Sequence, residues 1–340
     1  MIKDAIAKLI DGQSLSRREA YEVMEQILAG TADEAQISAF LVALQLKGGT
    51  VEEVAGSVDA YRERITPLSI KDPNAIDTSG TGGDNLGTFN ISTTAAFVAA
   101  GAGARVIKHG YNSVTSQCGS ADVLESLGVA TRLFPDQFFK VFEAIGLAFL
   151  FAPRYKPSPR NFATIRQHIG ARTFIHLLDP LTKPAITKRH LIGVYDKKLC
   201  RLMAEVLREF DIVHAMIVHG DNGLDEVSIS GETHVVELKG KTIREYVLTP
   251  EELGLKRWPV EDLVGGDAEQ NKRMMLSVLK GNAGGPRDVT IANAAAALLV
   301  AEVAEDLADG VARARDAIDS GAAMAKLEAL IEVSAKYMQQ

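Results

Sequence analysis

Residues 77–128 of this 340-residue chain read DTSGTGGDNLGTFNISTTAAFVAAGAGARVIKHGYNSVTSQCGSADVLESLG, and this stretch decides the fold. Four glycines fall within eight residues, at positions 80, 82, 83 and 87. They follow a short apolar strand at Ala75 and Ile76 and precede an Ala-rich helix. Glycines let a backbone take positive φ and approach a ligand closely, and N–H groups at a helix N-terminus attract anions. The stretch therefore predicts a strand, a loop for a phosphorylated ligand and a helix.

This loop fits neither of two common nucleotide-binding patterns. A P-loop requires Lys and then Ser or Thr after its last glycine, and no Lys follows any of these glycines. A dinucleotide-binding G-x-G-x-x-G that starts at Gly80 requires a third glycine where Asn85 stands. Neither class of nucleotide site is indicated.

A second polar run follows, from Lys108-His109-Gly110 to Ser120, again between a strand at 105–107 and a helix at 122–127. Two strand-end loops separated by one helix lie side by side at the carboxyl edge of a parallel sheet, where such folds bind ligands. The two loops are therefore expected to form one site.

These motifs resemble those of the anthranilate phosphoribosyltransferase family, in that family's order and over nearly the whole chain. The matching segments are Gly80-Thr81-Gly82-Gly83-Asp84, Asn90-Ile91-Ser92-Thr93, Lys108-His109-Gly110, Gly119-Ser120-Ala121-Asp122 and Gly223-Leu224-Asp225-Glu226. The resemblance implies transfer of the 5-phosphoribosyl group from phosphoribosyl diphosphate to the amine of anthranilate or a similar aromatic acceptor, with release of diphosphate and without a covalent nucleophile.

The resemblance also implies the site residues. Contacts to the phosphoribosyl donor fall on Gly80, Gly83, Asp84, Thr88, Asn90, Ser92, Thr93, Lys108, Ser116 and Ser120. Metal contacts fall on Ser92, Asp225 and Glu226, for two Mg²⁺ ions per site. Mg²⁺ takes one or two carboxylates and keeps substrate oxygens, and Asp221-Asn222-Gly223 supplies a turn that lets the adjacent Asp225 and Glu226 share an ion.

The acceptor side departs from the family pattern. Acceptor contacts are implied at Gly80, Tyr111, Arg166, Asp179 and Pro180. The family has Asn-Arg-Ser after Lys-His-Gly, where this chain has Tyr111-Asn112-Ser113. The family's Asn-x-x-Gly-Pro-Leu-x-Asn-Pro stands here as 176–184, HLLDPLTKP, with His176, Asp179 and Lys183 at the changed positions. The identity of the acceptor is left open.

Composition narrows the class of protein. A net charge of −7 and a pI near 5.6 argue against a general nucleic-acid or membrane-surface role. Two cysteines without metal-ligand spacing, Cys118 and Cys200, fit a reducing cytoplasmic setting. No apolar run reaches the roughly 18 residues that a membrane span requires. Small-molecule partners are expected.

Periodicity predicts two units. Capping boxes at Ser16, Thr31 and Thr50 predict three helices within a small all-helical domain over 1–70, which part of 170–190 joins and which forms a homodimer interface. Alternating strands and helices predict a large α/β domain over 75–340, with a mainly parallel sheet covered by helices, and the resemblance implies that this domain binds phosphoribosyl diphosphate. Alternating segments at 226–230, 234–238 and 242–247 predict a small antiparallel patch.

One segment is basic in an otherwise acidic chain. Between Arg154 and His190 eight Lys or Arg accompany a single acid, Asp179. The segment fits a solvated surface, a ligand cleft between domains or, less well, a nucleic-acid contact. Four alternatives therefore stand: the transferase, a paralogue with another acceptor, a pyrimidine-nucleoside phosphorylase-like enzyme that uses phosphate, and a non-catalytic nucleic-acid-binding relative.

Overall fold

A computed structural model describes residues 1–113, 117–156 and 162–337, although it leaves some side chains near residue 165 undescribed. Four helices open the chain: α1 Ile2–Ile10, α2 Arg17–Leu28, α3 Glu34–Lys47 and α4 Val51–Arg64. The capping boxes at Ser16 and Thr50 are confirmed. The prediction at Thr31 is wrong, because Asp33 is the N-cap residue of α3 and its carboxylate accepts from the N–H of Gln36. Helix α1 precedes all three predicted helices.

The remaining elements alternate between strands and helices. The strands are β1 Leu68–Ser69, β2 Ile76–Gly80, β3 Val106–Gly110, β4 Leu147–Phe151, β5 Ala185–Ile186, β6 Arg189–Gly193, β7 His214–Gly220, β8 Thr233–Lys239 and β9 Thr242–Leu248. The helices are α5 Ile91–Gly101, α6 Ser120–Ser126, α7 Pro135–Ile145, α8 Phe162–Ile169, α9 Phe174–Leu178, α10 Lys198–Glu209, α11 Ala268–Leu279, α12 Gly285–Val300, α13 Leu307–Asp319 and α14 Ala322–Ala335. The predicted fold class is confirmed.

The main sheet has seven strands in the order β4-β3-β2-β6-β7-β8-β9. The first five are parallel, whereas β8 and β9 extend the sheet as an antiparallel hairpin. Strands β2 and β6 end together, with Gly80 opposite Gly193. The loops that leave these two strands therefore start from neighbouring points at the carboxyl edge of the sheet.

The two faces of the sheet have separate apolar cores. Helices α5, α12 and α14 contribute to the core on one face. On the other face, α10 packs on β7 and β8 and is covered in turn by α4, so that the N-terminal helices continue this second core. Residues of α9 belong to the same cluster.

The predicted strand at 226–230 is wrong. Although its side chains alternate, its backbone groups are bound by side chains instead of a neighbouring strand. The Asn293 amide accepts from the N–H of Val227 at 2.9 Å and donates to the carbonyl of Val227 at 2.9 Å. The Thr233 hydroxyl accepts from the N–H of Ser228 at 2.8 Å. The segment is thus fixed as an irregular loop, which carries Glu226 at its start.

Two short segments, which contain β1 and β5, connect the N-terminal helices and α9 with the main sheet. Strand β1 pairs in parallel with β5, with Leu68 opposite Ala185, in a separate two-stranded sheet. None of the helices in the described ranges is both long and apolar enough to cross a bilayer.

Candidate active site

The glycine-rich loop joins β2 to α5 as predicted. Gly82, Gly83 and Asn85 all take positive φ, at 64°, 80° and 59°. Such angles turn the backbone sharply, and an ideal Cβ at Gly83 would lie 3.2 Å from Nε of Arg172. Thr88 pairs by a β-bridge with Val264 where the loop leaves the turn. The loop is therefore a shaped segment held at both ends.

The start of α5 binds a carboxylate. Asn90 is the N-cap residue but makes no side-chain capping bond, because its side chain is engaged by Asn271 and Cys118. The N–H of Ser92 donates instead to Oε1 of Glu226 at 3.1 Å. Thr93 is buried behind it. An acidic group thus already lies at the positive end of the helix, where anions are favoured.

Asp225 and Glu226 come close to the glycine-rich loop because two glycines leave room. A Cβ at Gly193 would lie 1.5 Å from the carbonyl oxygen of Asp225, so that no other residue fits there. A Cβ at Gly80 would lie 3.0 Å from Oδ2 of Asp225. The turn before Asp225 therefore lies directly on the ends of β2 and β6.

Three carboxylates, of Asp84, Asp225 and Glu226, crowd together in this place. Burial raises the pKa of Asp225 well above its ordinary value, and the negative charges of Asp84 and Glu226 raise it further. Burial also raises the pKa of Glu226 to about 7, against the opposing effects of Lys108 and Ser92. Asp84 accepts from the N–H of Leu86 through Oδ1, while its buried Oδ2 has no hydrogen-bond partner among the described residues. The three carboxyl groups therefore ionise less readily together than they would apart.

Lys108 is the buried cation beside this cluster. Its ammonium donates to the carbonyls of Thr78 at 3.2 Å and His109 at 3.4 Å. Burial lowers the pKa of Lys108 below its ordinary value, although the negative charges of Glu226 and Asp77 partly oppose this shift. Lys108 lies on β3 and projects from the strand next to the glycine-rich loop, since residue 108 pairs with residue 78 of β2.

The second polar loop is organised by Asp122, to which sequence reasoning gave no role. Its carboxylate accepts from the Asn112 amide at 2.6 Å and from the N–H groups of Ser113 and Gly119 at 2.7 and 2.8 Å. Ser120 begins α6 so close to β3 that a Cβ at Gly110 would lie 2.0 Å from its hydroxyl oxygen. Ser116 lies outside the described residues.

The acceptor-side residues form ion pairs and hydrogen bonds among themselves. Oδ1 of Asp179 accepts from the Tyr111 hydroxyl at 3.3 Å and from the Lys156 ammonium at 2.8 Å. Pro180 is buried in the short 3₁₀ helix that follows. Sequence reasoning named Tyr111 and Asp179 but not Lys156, which is 23 residues from its partner. Arg166 lies in α8, and its side chain is outside the described part.

Lys183 and Asp77 form a second buried ion pair. Lys183 donates to Oδ1 of Asp77 at 2.5 Å, and its ammonium lies 3.4 Å from Nδ1 of His190. Burial lowers the pKa of His109 and His190 well below the ordinary value, and nearby Lys183 lowers both further. Both imidazoles are therefore neutral at pH 7. Within the described ranges, nothing bonds to the buried Nε2 of His109.

Comparison with known proteins gives the family. The model of the glycosyl transferase family helical bundle domain matches residues 3–65, and that of the glycosyl transferase family a/b domain matches residues 72–324. The chain is 49% identical over 331 residues to anthranilate phosphoribosyltransferase of Anaeromyxobacter dehalogenans, covering 97% of this chain and 98% of that one. This chain belongs to the anthranilate phosphoribosyltransferase family.

Solved structures of anthranilate phosphoribosyltransferases share the fold. The Thermus thermophilus protein superposes with a TM-score of 0.90 at 40% identity, over 97% of this chain and 99% of that one. The Saccharomyces cerevisiae protein in complex with phosphoribosyl diphosphate and Mg superposes with a TM-score of 0.88 at 26% identity, over 98% of both chains. The same yeast protein with 4-fluoroanthranilate gives a TM-score of 0.87 at 25% identity.

In this anthranilate phosphoribosyltransferase relative, the carboxylates of Asp84, Asp225 and Glu226 fit a hard cation whose remaining coordination positions are filled by substrate oxygens. No group of three His, Cys, Asp or Glu side chains within the described ranges is arranged to hold a metal alone. Mg²⁺ takes all its ligands from oxygen and uses one or two carboxylates together with substrate oxygens. The oxygen of Asp84 that no described residue bonds and the raised pKa of Asp225 are what such a site shows without its cation.

In the described part of the basic segment, most of the cationic side chains are engaged by neighbouring groups of this family member. Lys156 and Lys183 pair with Asp179 and Asp77, and Arg189 pairs with Glu302 at 2.7 Å. The guanidinium groups of Arg154 and Arg172 stack on Phe134 and Tyr195. These five cations are used within the fold, which weakens the nucleic-acid alternative for the segment.

Proposed function

We propose that this chain is a pentosyltransferase that moves the 5-phosphoribosyl group from phosphoribosyl diphosphate to the amine of anthranilate or a similar aromatic acceptor. The observation that carries the proposal is the cluster of Asp84, Asp225 and Glu226 against the glycine-rich loop and the start of α5. Divalent cations that bridge these carboxylates to a diphosphate relieve the repulsion in that cluster, whereas inorganic phosphate without a cation adds to it. The phosphorylase alternative is therefore disfavoured.

In the reaction, the amine nitrogen forms a bond to C1 of the ribose as the C1–O bond breaks and diphosphate leaves with the electron pair, and the nitrogen then loses one proton to solvent or to the released diphosphate. Loop N–H groups around Gly80 and Gly83, the start of α5 at Asn90, Ser92 and Thr93, and the ammonium of Lys108 stabilise the departing negative charge. Thr88 and Ser120, and Ser116 by its motif, complete the donor side. No step requires a covalent nucleophile.

Two Mg²⁺ ions per site are proposed, held by Asp225, Glu226 and Ser92. Bound Mg²⁺ supplies charge neutralisation and a template for the diphosphate oxygens. The yeast relative has been solved with phosphoribosyl diphosphate and Mg, which supports the presence of the metal. If Glu226 held the cation, the N–H of Ser92 that now donates to Glu226 would be available to a phosphate oxygen.

The acceptor is proposed to bind beside Gly80, Tyr111, Arg166, Asp179 and Pro180. The yeast relative with 4-fluoroanthranilate supports an anthranilate-like acceptor. The Lys156–Asp179–Tyr111 group is the one observation that favours a second candidate, a paralogue that uses another aromatic amine. Diphosphate release measured with anthranilate, its 4-fluoro derivative, aniline and 4-aminobenzoate decides between them. Saturation by anthranilate alone supports the first, and preference for another amine supports the second.

The helices over 1–70, together with part of 170–190, are proposed to form one domain against a phosphoribosyl-diphosphate-binding domain over 75–340. Packing of α9 against α3 and α4 supports this division. A homodimer through the helical domain is proposed because Ile10 of α1 and Leu46 of α3 are 72% and 83% exposed, and Val42 of α3 is also exposed. Sedimentation velocity on Leu46→Glu, with loss of dimer expected, tests this contact.

A cytoplasmic place in tryptophan biosynthesis is the remaining part of the proposal. Cys118 and Cys200 are both free and buried, which fits a reducing compartment. Complementation of a strain that lacks anthranilate phosphoribosyltransferase, scored as growth without tryptophan, tests the assignment to the pathway.

A further inference from the structure

A cavity of about 130 Å³ lies at the amino end of β6, away from the glycine-rich loop at its carboxyl end. The end of α4, the crossing over 180–188 and the end of α10 enclose it. Pockets for drug-sized ligands measure roughly 300–1,000 Å³, so this one suits a small molecule. None of the described residues that the mechanism uses for the donor or the metal lines it.

The cavity is cationic. Arg62 and Lys188 are exposed at its mouth, while Lys183 and His190 are buried in its floor. No Asp or Glu of the described ranges lines it. Lys183 is already neutralised by Asp77, so the uncompensated charge is at the mouth.

Arg62 has no carboxylate partner among the described residues. Its guanidinium lies 3.9 Å from the centre of the Phe210 ring. A guanidinium in contact with an aromatic ring can still donate its N–H groups to a planar carboxylate. An anion between Arg62 and Lys188 would gain from both charges.

A second observation lies in the wall. Thr187 is only 4% exposed, lines the cavity, and its buried hydroxyl has no hydrogen-bond partner in the part of the chain that the structure describes. A buried hydroxyl without a partner is unfavourable and rare, so a ligand atom that bonds to it is favoured. Apolar side chains of Ile65, Leu207 and Ile212 form the rest of the wall.

We propose that this cavity binds a small organic carboxylate, whose charge pairs with Arg62 at the mouth, whose body packs on the apolar wall and whose polar edge bonds to the hydroxyl of Thr187. The cavity shares only Pro180 with the proposed acceptor residues and none with the donor or metal residues, and its occupancy does not depend on the proposed function.

Calorimetric titration of the full chain with benzoate tests the proposal, with benzamide as the neutral isostere and inorganic phosphate as the anion without an apolar body. Benzoate also resembles the proposed acceptor, so the binding assigned to this cavity is the part that depends on Arg62, with one such site per chain. Benzamide and the variant Arg62→Gln are each expected to weaken binding about tenfold or more, since each removes a charge-assisted hydrogen bond. Arg244→Gln removes the same charge from an exposed position on β9 and is expected to leave benzoate binding unchanged.

The hydroxyl is tested separately. Thr187→Val is expected to weaken benzoate binding several-fold, and Thr187→Ser to retain it. If Thr187→Val fails to fold, the comparison of Arg62→Gln with Arg244→Gln still decides the matter. Equal affinity of wild type and Arg62→Gln, no heat at about 10 mM benzoate, or displacement of benzoate by an equal concentration of phosphate overturns the proposal.

Discussion

The donor side and the acceptor side differ in whether their acidic side chains are paired with a cation. At the donor side Asp84, Asp225 and Glu226 lie together with raised pKa values, and one oxygen of Asp84 has no partner among the described residues. At the acceptor side Asp179 is paired with Lys156, and Asp77 with Lys183. The donor side is thus arranged for charges that the ligand and its cations bring, whereas the acceptor side is neutralised in advance. Selection of the acceptor therefore depends on shape and hydrogen bonding more than on a free charge.

Loss of the donor-side carboxylates is expected to have the largest effect. Asp225→Asn combined with Glu226→Gln should lower kcat by at least about 100-fold, because charge stabilisation of the leaving diphosphate is lost. The exposed pair Asp221→Asn with Glu232→Gln is the matched control, with activity expected to be unchanged. A double variant at 225 and 226 that keeps the wild-type Mg²⁺ dependence contradicts the metal assignment.

The same cluster predicts how stability depends on pH without Mg²⁺. The folded-state pKa of Glu226 is about 7, above its ordinary value of 4.5, so the native state binds more protons between these pH values. Stability from this group should therefore fall as pH rises from about 4.5 to 7, by roughly 3 kcal/mol at most. Chemical denaturation of wild type and Glu226→Gln across this range measures the difference. Parallel curves for the two proteins contradict the raised pKa.

The glycine-rich loop should respond in affinity more than in stability. Gly83→Ala is expected to weaken binding of phosphoribosyl diphosphate by roughly tenfold, because a side chain with positive φ adds strain of about 1 kcal/mol and disturbs N–H groups that face phosphate. Gly12→Ala is the control, because Gly12 also has a positive φ, of 73°, and open space around an added Cβ. Gly82, with a φ of 64°, has the same open space. We expect Gly83→Ala and Gly12→Ala to lose similar stability, and only Gly83→Ala to lose affinity for phosphoribosyl diphosphate. Unchanged donor affinity in both Gly82→Ala and Gly83→Ala means that the loop is only a turn.

The two sides also differ in how well the sequence predicts them. The separate features of the donor side could be predicted because each is local: the glycines after β2, the start of α5 and the turn before Asp225. That they meet was expected only from the order of the family's motifs, since Glu226 contacts Ser92 over 134 residues. The acceptor side departs from those motifs, so neither the contact of Lys183 with Asp77 over 106 residues nor that of Lys156 with Asp179 across two helices could be predicted. Nothing in a linear pattern states which of eight basic residues pairs with a given acid.

The fold shows the same limit. Capping boxes at Ser16 and Thr50 are local and were predicted, while at Thr31 a nearby acid competed for the same N–H groups. The error at 226–230 has a longer range, since Asn293 binds that backbone from 66 residues away. A period of two in the side chains predicts which faces alternate, and it does not predict whether a neighbouring strand is present to pair with.

The smallest expected effect concerns the acceptor. Asp179→Asn frees the ammonium of Lys156, which is 8% exposed, to face the carboxylate of anthranilate, and the KM for anthranilate should fall a few-fold while the KM for phosphoribosyl diphosphate stays constant. The gain stays below the roughly 4 kcal/mol of two charges about 4 Å apart near a protein surface, because both groups lose hydration. Lys156→Met combined with Asp179→Asn is the control that removes both charges, and its KM for anthranilate should return to the wild-type value or exceed it.

Tyr111→Asn combined with Asp179→Gly should lower the KM by more than Asp179→Asn does, because it also removes a ring and its hydroxyl from the acceptor side. If wild type saturates with micromolar anthranilate and none of these changes alters the KM, then the Lys156–Asp179–Tyr111 group supports the fold alone, and the contrast between the two sides concerns stability and not selection of the acceptor.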